Sequence, residues 1–161
     1  MAFIDVDSHD SVKFASFYNL NEAVGFGGKN MVEDVKIVQF FLQRYFTAVD
    51  STYKPWGEMV PDGKCGPITR AWITRFQIDM RQSGENVLVD GVMDKANNQA
   101  DNRIGSISKT GYAIRFLNNV CRKGDTEVYK NLTTHPVVPS DLKLIFLQIQ
   151  AAGPPMNYAK S

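Results

Sequence analysis

The sequence predicts a mainly α fold: a helical core preceded by an N-terminal arm and followed by a C-terminal helical extension. Apolar residues recur at three- and four-residue spacing in four segments, the period of one helix face. Stretches rich in glycine, proline and asparagine separate those segments and supply helix starts and stops. Strand-like alternation is weak and brief, in "AFIDVD" near the start and in a short extended run within "NVLVDGVMDKA". The 161 residues suit one domain with its own core, and 43% hydrophobic with 22% charged residues argues against disorder.

Residues 1–23 read as an irregular arm with a short strand. "VGFGGKN" reads as a loop, because its glycines favour positive backbone angles. It lacks the G-x-x-x-x-G-K-[ST] spacing of a phosphate loop. Asn30 is the expected N-cap of the first helix, with Glu33 at the capping-box position. That helix is predicted over Met31 to Phe46, with Met31, Val35, Val38, Leu42 and Tyr45 on one stripe. Ile37, Phe40, Phe41 and Phe46 widen the stripe, so this helix should be covered on more than one side.

A long connection follows, broken by Pro55, Gly57, Pro61 and Gly63. Helix resumes at Pro67, since proline suits the first helical position, where its missing donor would be unpaired anyway. Thr69, Ile73, Phe76 and Met80 make one face, Ile68 and Trp72 begin a second, and Gly84 is the stop. A second Asp-Gly turn at Asp90-Gly91 precedes the polar loop "NNQADN". A third helix is predicted from Ser108 to Lys123, with Ala113, Phe116, Leu117 and Val120 inward and Gly124 as its end. "NLTTHPVVP" reads as loop. Ser140 should cap a last helix carrying Leu142, Ile145, Phe146 and Ile149, terminated at Gly153, with a frayed tail from 154 to Ser161.

A formal net charge of +1 gives no global field to gather nucleic acid or anionic membrane, so neither is expected as a partner. No run of about 18 apolar residues exists for a membrane span. The start "MAFIDVDSHDSVKF" has no basic region and no apolar core of a Sec signal. The expectation is synthesis in the cytoplasm, with delivery by other machinery if the target lies outside. The two cysteines, Cys65 and Cys121, match no zinc spacing, and His9 and His135 are isolated. No metal or other cofactor is expected. Cys65 and Cys121 read as buried small hydrophobes.

The string from Asp62 to Gln77, "DGKCGPITRAWITRFQ", resembles the D-G-x-F-G-x-x-T-x-x-A-V-x-x-F-Q signature of peptidoglycan-binding domains. The helix before it, with Val35, Val38, Gln39 and Leu42, is similar to that family's V-x-x-L-Q-x-x-L helix. Val89-Asp90-Gly91-Val92 resembles its closing "VDGxxG" element. Together these span about Val24 to Asp94. Departures are Cys65 in place of a bulky apolar residue, Trp72 in place of a small one, and Asp94 in place of the last glycine.

The resemblance implies a three-helix peptidoglycan-binding-like core over 24–94, extended by helices over 95–153 within one elaborated domain. Gly66 is expected to let the backbone approach closely, and Gln77 to bond at the edge of its helix. The later helices are expected to cover Ile68 and Trp72 and the extra apolar positions of the first helix. The implied function is non-catalytic binding of the glycan and stem peptide of bacterial peptidoglycan. A shallow groove beside the Asp-Gly turns would use Tyr53, Trp56, Arg70 and Asp90. Trp56 has a second reading, as a lid over the core beneath the long loop. Lys64 and Asn86 are further candidates for stem-peptide carboxylates and amides. Glu58, Asp62, Asp90 and Asp94 read as turn and solvated residues, so hydrolysis is not the expected activity. No catalytic domain accompanies the motifs. A rival expectation is therefore a protein–protein module on the same fold: an adaptor, an immunity-type protein, or a part of a phage or contractile secretion particle.

Overall fold

The computed structural model describes residues 1–6, 16–49, 54–96 and 111–153. The elements run β1 (Phe3–Val6), β2 (Ser16–Asn19), β3 (Val24–Gly25), α1 (Val32–Arg44), α2 (Pro67–Gln82), β4 (Val92–Met93), α3 (Ala113–Gly124), α4 (Thr126–Lys130) and α5 (Ser140–Ala152). The protein is mainly α. β1 pairs antiparallel with β2, and β3 with β4, in separate two-stranded sheets. No helix among the described residues is long and apolar enough to cross a membrane.

The first helix is the centre of the packing. Val35, Ile37, Val38, Phe40, Phe41 and Leu42 are all buried, so it is apolar around most of its circumference, as its wide stripe predicts. On one side Phe41 meets Tyr18, Tyr129 and Phe146 at ring separations of 6.1, 5.7 and 5.9 Å, which ties α1 to β2, α4 and α5. On the other side Tyr45 meets Phe76 at 5.0 Å and Phe46 meets Trp72 at 5.3 Å, which ties it to α2. Edge-on pairs at these distances add to the area they bury. Arg44 reaches Asp125 with two hydrogen bonds, at 2.7 and 3.2 Å, and pins the end of α1 to the α3–α4 junction.

Several expectations are corrected. Asn30 does not cap α1: Met31 precedes the helix, and no side-chain bond caps it. Asn30 instead takes a positive φ of 52° and turns its carboxamide back on the preceding loop. Met31 is exposed, because it stands outside the first turn. Beyond Arg44 the chain continues as a π-helical turn over Tyr45–Val49, which places Tyr45 and Phe46 against α2. In α3 the buried set is Ala113, Ile114, Leu117, Asn118 and Cys121, while Phe116 and Val120 are only partly buried. Ser140 is the first residue of α5 and Pro139 precedes it. Leu142, Phe146 and Ile149 are buried, and Ile145 partly so.

Trp72 is covered by Phe46 and by the connection before α2, whose Trp56 carbonyl accepts the Trp72 indole N–H at 2.9 Å. Gly57 of that connection lies against Ile68. The expected cover for this face was the C-terminal helices. Those helices do cover the extra apolar positions of α1, as expected: α3 and α5 both lie against it. The span 24–94 contains α1 and α2 as its α-helices. The first three residues of the predicted third helix, Ser108 to Thr110, the site residue Tyr53, His9 and the tail lie outside the described residues.

Buried carboxamides fasten the arm to this core. Asn118 of α3 accepts the Tyr18 N–H at 2.8 Å and donates to the Tyr18 carbonyl at 3.0 Å, completing the free edge of β2. Asn19 donates to the Asp5 carboxylate and the Ala96 carbonyl, both at 2.8 Å, and accepts from the Ala96 N–H at 3.0 Å. The segment after β4 is therefore held to the arm, and all polar groups in this contact are satisfied.

Candidate functional site

The two Asp-Gly turns are built alike. In the first, Gly63 has φ 79°, the left-handed region that glycine enters without a Cβ clash. Asp62 Oδ1 accepts the Lys64 N–H at 2.9 Å, closing the turn locally. The buried Gln39 of α1 then grips the turn from beneath. Its Oε1 accepts the Gly63 N–H at 2.9 Å, and its Nε2 lies 3.0 Å from Asp62 Oδ1, the Lys64 carbonyl and Thr69 Oγ1.

In the second, Gly91 has φ 74°, and Asp90 Oδ1 accepts the Val92 N–H at 3.0 Å. Gln77 of α2 plays the part of Gln39. Its Oε1 accepts the Gly91 N–H at 2.9 Å, and its Nε2 donates to Asp90 Oδ1 at 3.1 Å and to the Val92 carbonyl at 2.9 Å. Gln77 thus does more than bond at its helix edge; it holds a turn across thirteen residues of sequence. Each helix carries a buried glutamine whose amide reads the backbone of the next turn. The strings "PDGKCG" and "VDGVMD" share this device.

Around α2 the candidate residues divide. Two residues subtend about 200° of a helix, so Arg70 and Trp72 face opposite flanks. Thr74 shares the Arg70 flank, and the second turn lies there: a Cβ on Gly91 would come within 3.0 Å of Thr74 Oγ1. Arg70 and the Asp90 turn are therefore brought to one side. Trp56 rides on the connection over Ile68 and Trp72, on the other flank. It is 78% exposed, so it is no lid over the core; Pro55 and Met59 are the buried residues of that connection.

Phe26 joins the Arg70 flank. The Arg70 guanidinium lies 5.9 Å from its ring centroid, within range of a cation–π contact. The ring itself is 75% exposed. Its only advance signal was an aromatic residue flanked by glycines in "GFGG".

Cys65 is half-buried, not fully enclosed as expected, and its thiol is held above the usual range by burial, with the nearby Arg70 charge acting in the opposite direction. Cys121 is buried with its Sγ 3.4 Å from the Phe41 carbonyl, and burial pushes its thiol far up. Both are protonated at neutral pH and unsuited to nucleophilic attack. Gly66 has extended φ and open space where a Cβ would stand, so no close approach requires glycine there.

A small recess of about 40 Å³ lies beside the second turn, lined by Gln77, Leu88, Asp90, Asp94 and Tyr112 among others. Burial raises the Asp94 carboxyl, and the Asp90 charge adds to the effect. Asp62 is shifted the other way, first by the Lys64 N–H. Among the described residues no group of three His, Cys, Asp or Glu converges as a metal site would require. Lys64 and Asn86 are exposed, and His135 accepts the Val137 N–H through Nδ1.

No family model, no curated protein and no solved structure matches this chain.

Proposed function

We propose that the protein is a non-catalytic module that binds the glycan and stem peptide of bacterial cell-wall peptidoglycan. The observation that carries this reading is the pair of glutamine-held Asp-Gly turns. The residues on which the sequence resembles peptidoglycan-binding domains, Gln39 with Asp62-Gly63 and Gln77 with Asp90-Gly91, act together as two copies of one structural unit. In this reading α1 and α2 carry the motifs of a three-helix peptidoglycan-binding-like core. That core spans 24–94, and α3, α4 and α5 form the helical extension of a single domain. The ligand-binding residues are Arg70 and Asp90 on one flank, with Trp56 and Tyr53 on the connection as the second contact. The carboxylates at the turns serve backbone N–H groups, which suits a scaffold better than acid–base chemistry.

The test is co-sedimentation with purified, protein-free sacculi. The protein should pellet with sacculi and be displaced by solubilised wall fragments, with no release of dye from labelled sacculi. Retention in the supernatant at all sacculus concentrations contradicts the reading. The rival, a protein–protein module from a phage or secretion particle, is favoured by one feature. α5 exposes Leu144 and Leu147, at 59% and 54%, on the face opposite its buried residues. A stable complex with a protein partner and no pelleting would select that alternative.

A further inference from the structure

Phe26 is an apolar ring held in water by a rigid support. It stands between Gly25 and Gly27, both at positive φ, 135° and 79°. Asn30 fixes that turn: its Oδ1 accepts the Gly25 N–H at 2.7 Å, and its Nδ2 donates to the Gly25 and Gly28 carbonyls, both at 3.1 Å. The Gly28 N–H bonds the Gly25 carbonyl, and the Asn30 N–H bonds the Ala23 carbonyl, each at 3.1 Å. Asn30 adopts a left-handed φ to do this, a conformation that persists where the surroundings over-determine it. The base of the turn is locked to the second Asp-Gly turn, because Gly25 packs directly on the Gly91 carbonyl. A flexible loop would fold its phenylalanine inward; this one presents it.

Arg70 complements the ring. It sets a cation over one face of the ring, and among the described residues it makes no salt bridge. An open ring face suits the apolar face of a sugar, and a guanidinium suits a carboxylate through paired N–H donors. A ligand that carries both, close together, is an N-acetylated sugar with a carboxylate-bearing peptide attached, as the peptide-substituted glycan of the cell wall provides.

We infer that Phe26 and Arg70 form the recognition platform for a peptide-substituted wall sugar, with Phe26 stacking on the sugar ring and Arg70 pairing with a carboxylate of the attached stem peptide. This rests on the wall-binding reading and identifies its central contact, which lies on the opposite flank of α2 from Trp56.

Phe26→Ala, Arg70→Gln and Leu144→Ala are compared by sedimentation with purified sacculi and by titration with N-acetylglucosamine tetraose, a glycan without carboxylates. Thermal melts confirm that each variant stays folded. Phe26→Ala should weaken sacculus binding about tenfold and weaken tetraose binding as well, as loss of a stacking ring does. Arg70→Gln should weaken sacculus binding about tenfold and leave tetraose binding unchanged. Leu144→Ala, on the exposed face of α5, should bind as the parent does. Parent-like sacculus binding by Phe26→Ala and Arg70→Gln overturns this inference alone. Failure of the parent protein to bind sacculi overturns the wall-binding reading and the platform with it.

Discussion

Replacing Gln39 with leucine should lower stability by about 3 kcal/mol, read as a reduced urea midpoint at unchanged slope. The side chain is 1% exposed, so no water replaces what is lost. Leucine fills much of the same volume but offers neither donor nor acceptor. The Gly63 N–H loses its partner, the Lys64 carbonyl keeps only a long bond from the Thr69 hydroxyl at 3.4 Å, and Asp62 keeps its local bond to Lys64. Each orphaned buried group costs roughly 1–3 kcal/mol, partly relieved where the turn can open to solvent. Gln77→Leu should behave alike, because it abandons the Asp90 and Gly91 N–H groups and the Val92 carbonyl. An exposed glutamine such as Gln82 changed to leucine should move the midpoint little. A small effect at both buried glutamines would show that the turns hold themselves.

Gly25→Ala should destabilise the protein by roughly 4 kcal/mol, and more locally than Gln39→Leu. A Cβ at this position would stand 2.4 Å from the Gly91 carbonyl oxygen and 2.8 Å from Val92 Cα, backbone atoms that cannot swing aside. β3 must then part from β4, breaking the Val24–Met93 and Gly25–Val92 pairing. Gly27→Ala isolates the dihedral contribution. Its φ is also positive, at 79°, but the space around it is open, so only the backbone preference of about 1–2 kcal/mol is lost. Amide exchange should rise at Val24 and Met93 in Gly25→Ala and stay slow in Gly27→Ala. Equal effects of the two substitutions would remove the close approach from the explanation.

The helices were legible because the periodic signal is strong where a helix is buried. Val35, Val38 and Leu42, and Thr69, Ile73 and Phe76, are inside as their spacing demands. Pro67 and Gly153 mark the ends they were expected to mark. The misses arise where one side chain can serve two partners. Asn30 fits an N-cap by type, yet its amide is better used on three backbone groups of the glycine turn. In α3 the inward stripe includes Asn118, a polar residue that periodicity discounts but that completes β2 and accepts the Tyr129 hydroxyl. α4 is five residues long, too short to show a period.

The site was less legible than the fold. Arg70 and Asp90, both candidates from the sequence, share a flank because Gln77, two turns after Arg70 on α2, holds the Asp90 turn. Trp56 was chosen as the exposed aromatic of a Pro/Gly loop, and it is exposed, but its loop is anchored to the other side of the helix through the Trp72 indole. Phe26 is not among the sequence candidates, because "GFGG" reads only as a loop. Its rigidity comes from Asn30 and from the contact with Gly91, the latter across more than sixty residues that no local pattern reports.

The most direct test of the account is an amide NMR titration of the intact protein with lysozyme-solubilised peptidoglycan fragments. The account predicts saturable shifts concentrated at Phe26, Gly27, Arg70, Thr74 and Gly91, with α5 undisturbed. Shifts confined to the exposed Leu144–Leu147 face of α5, or no shifts at millimolar fragment, would contradict it.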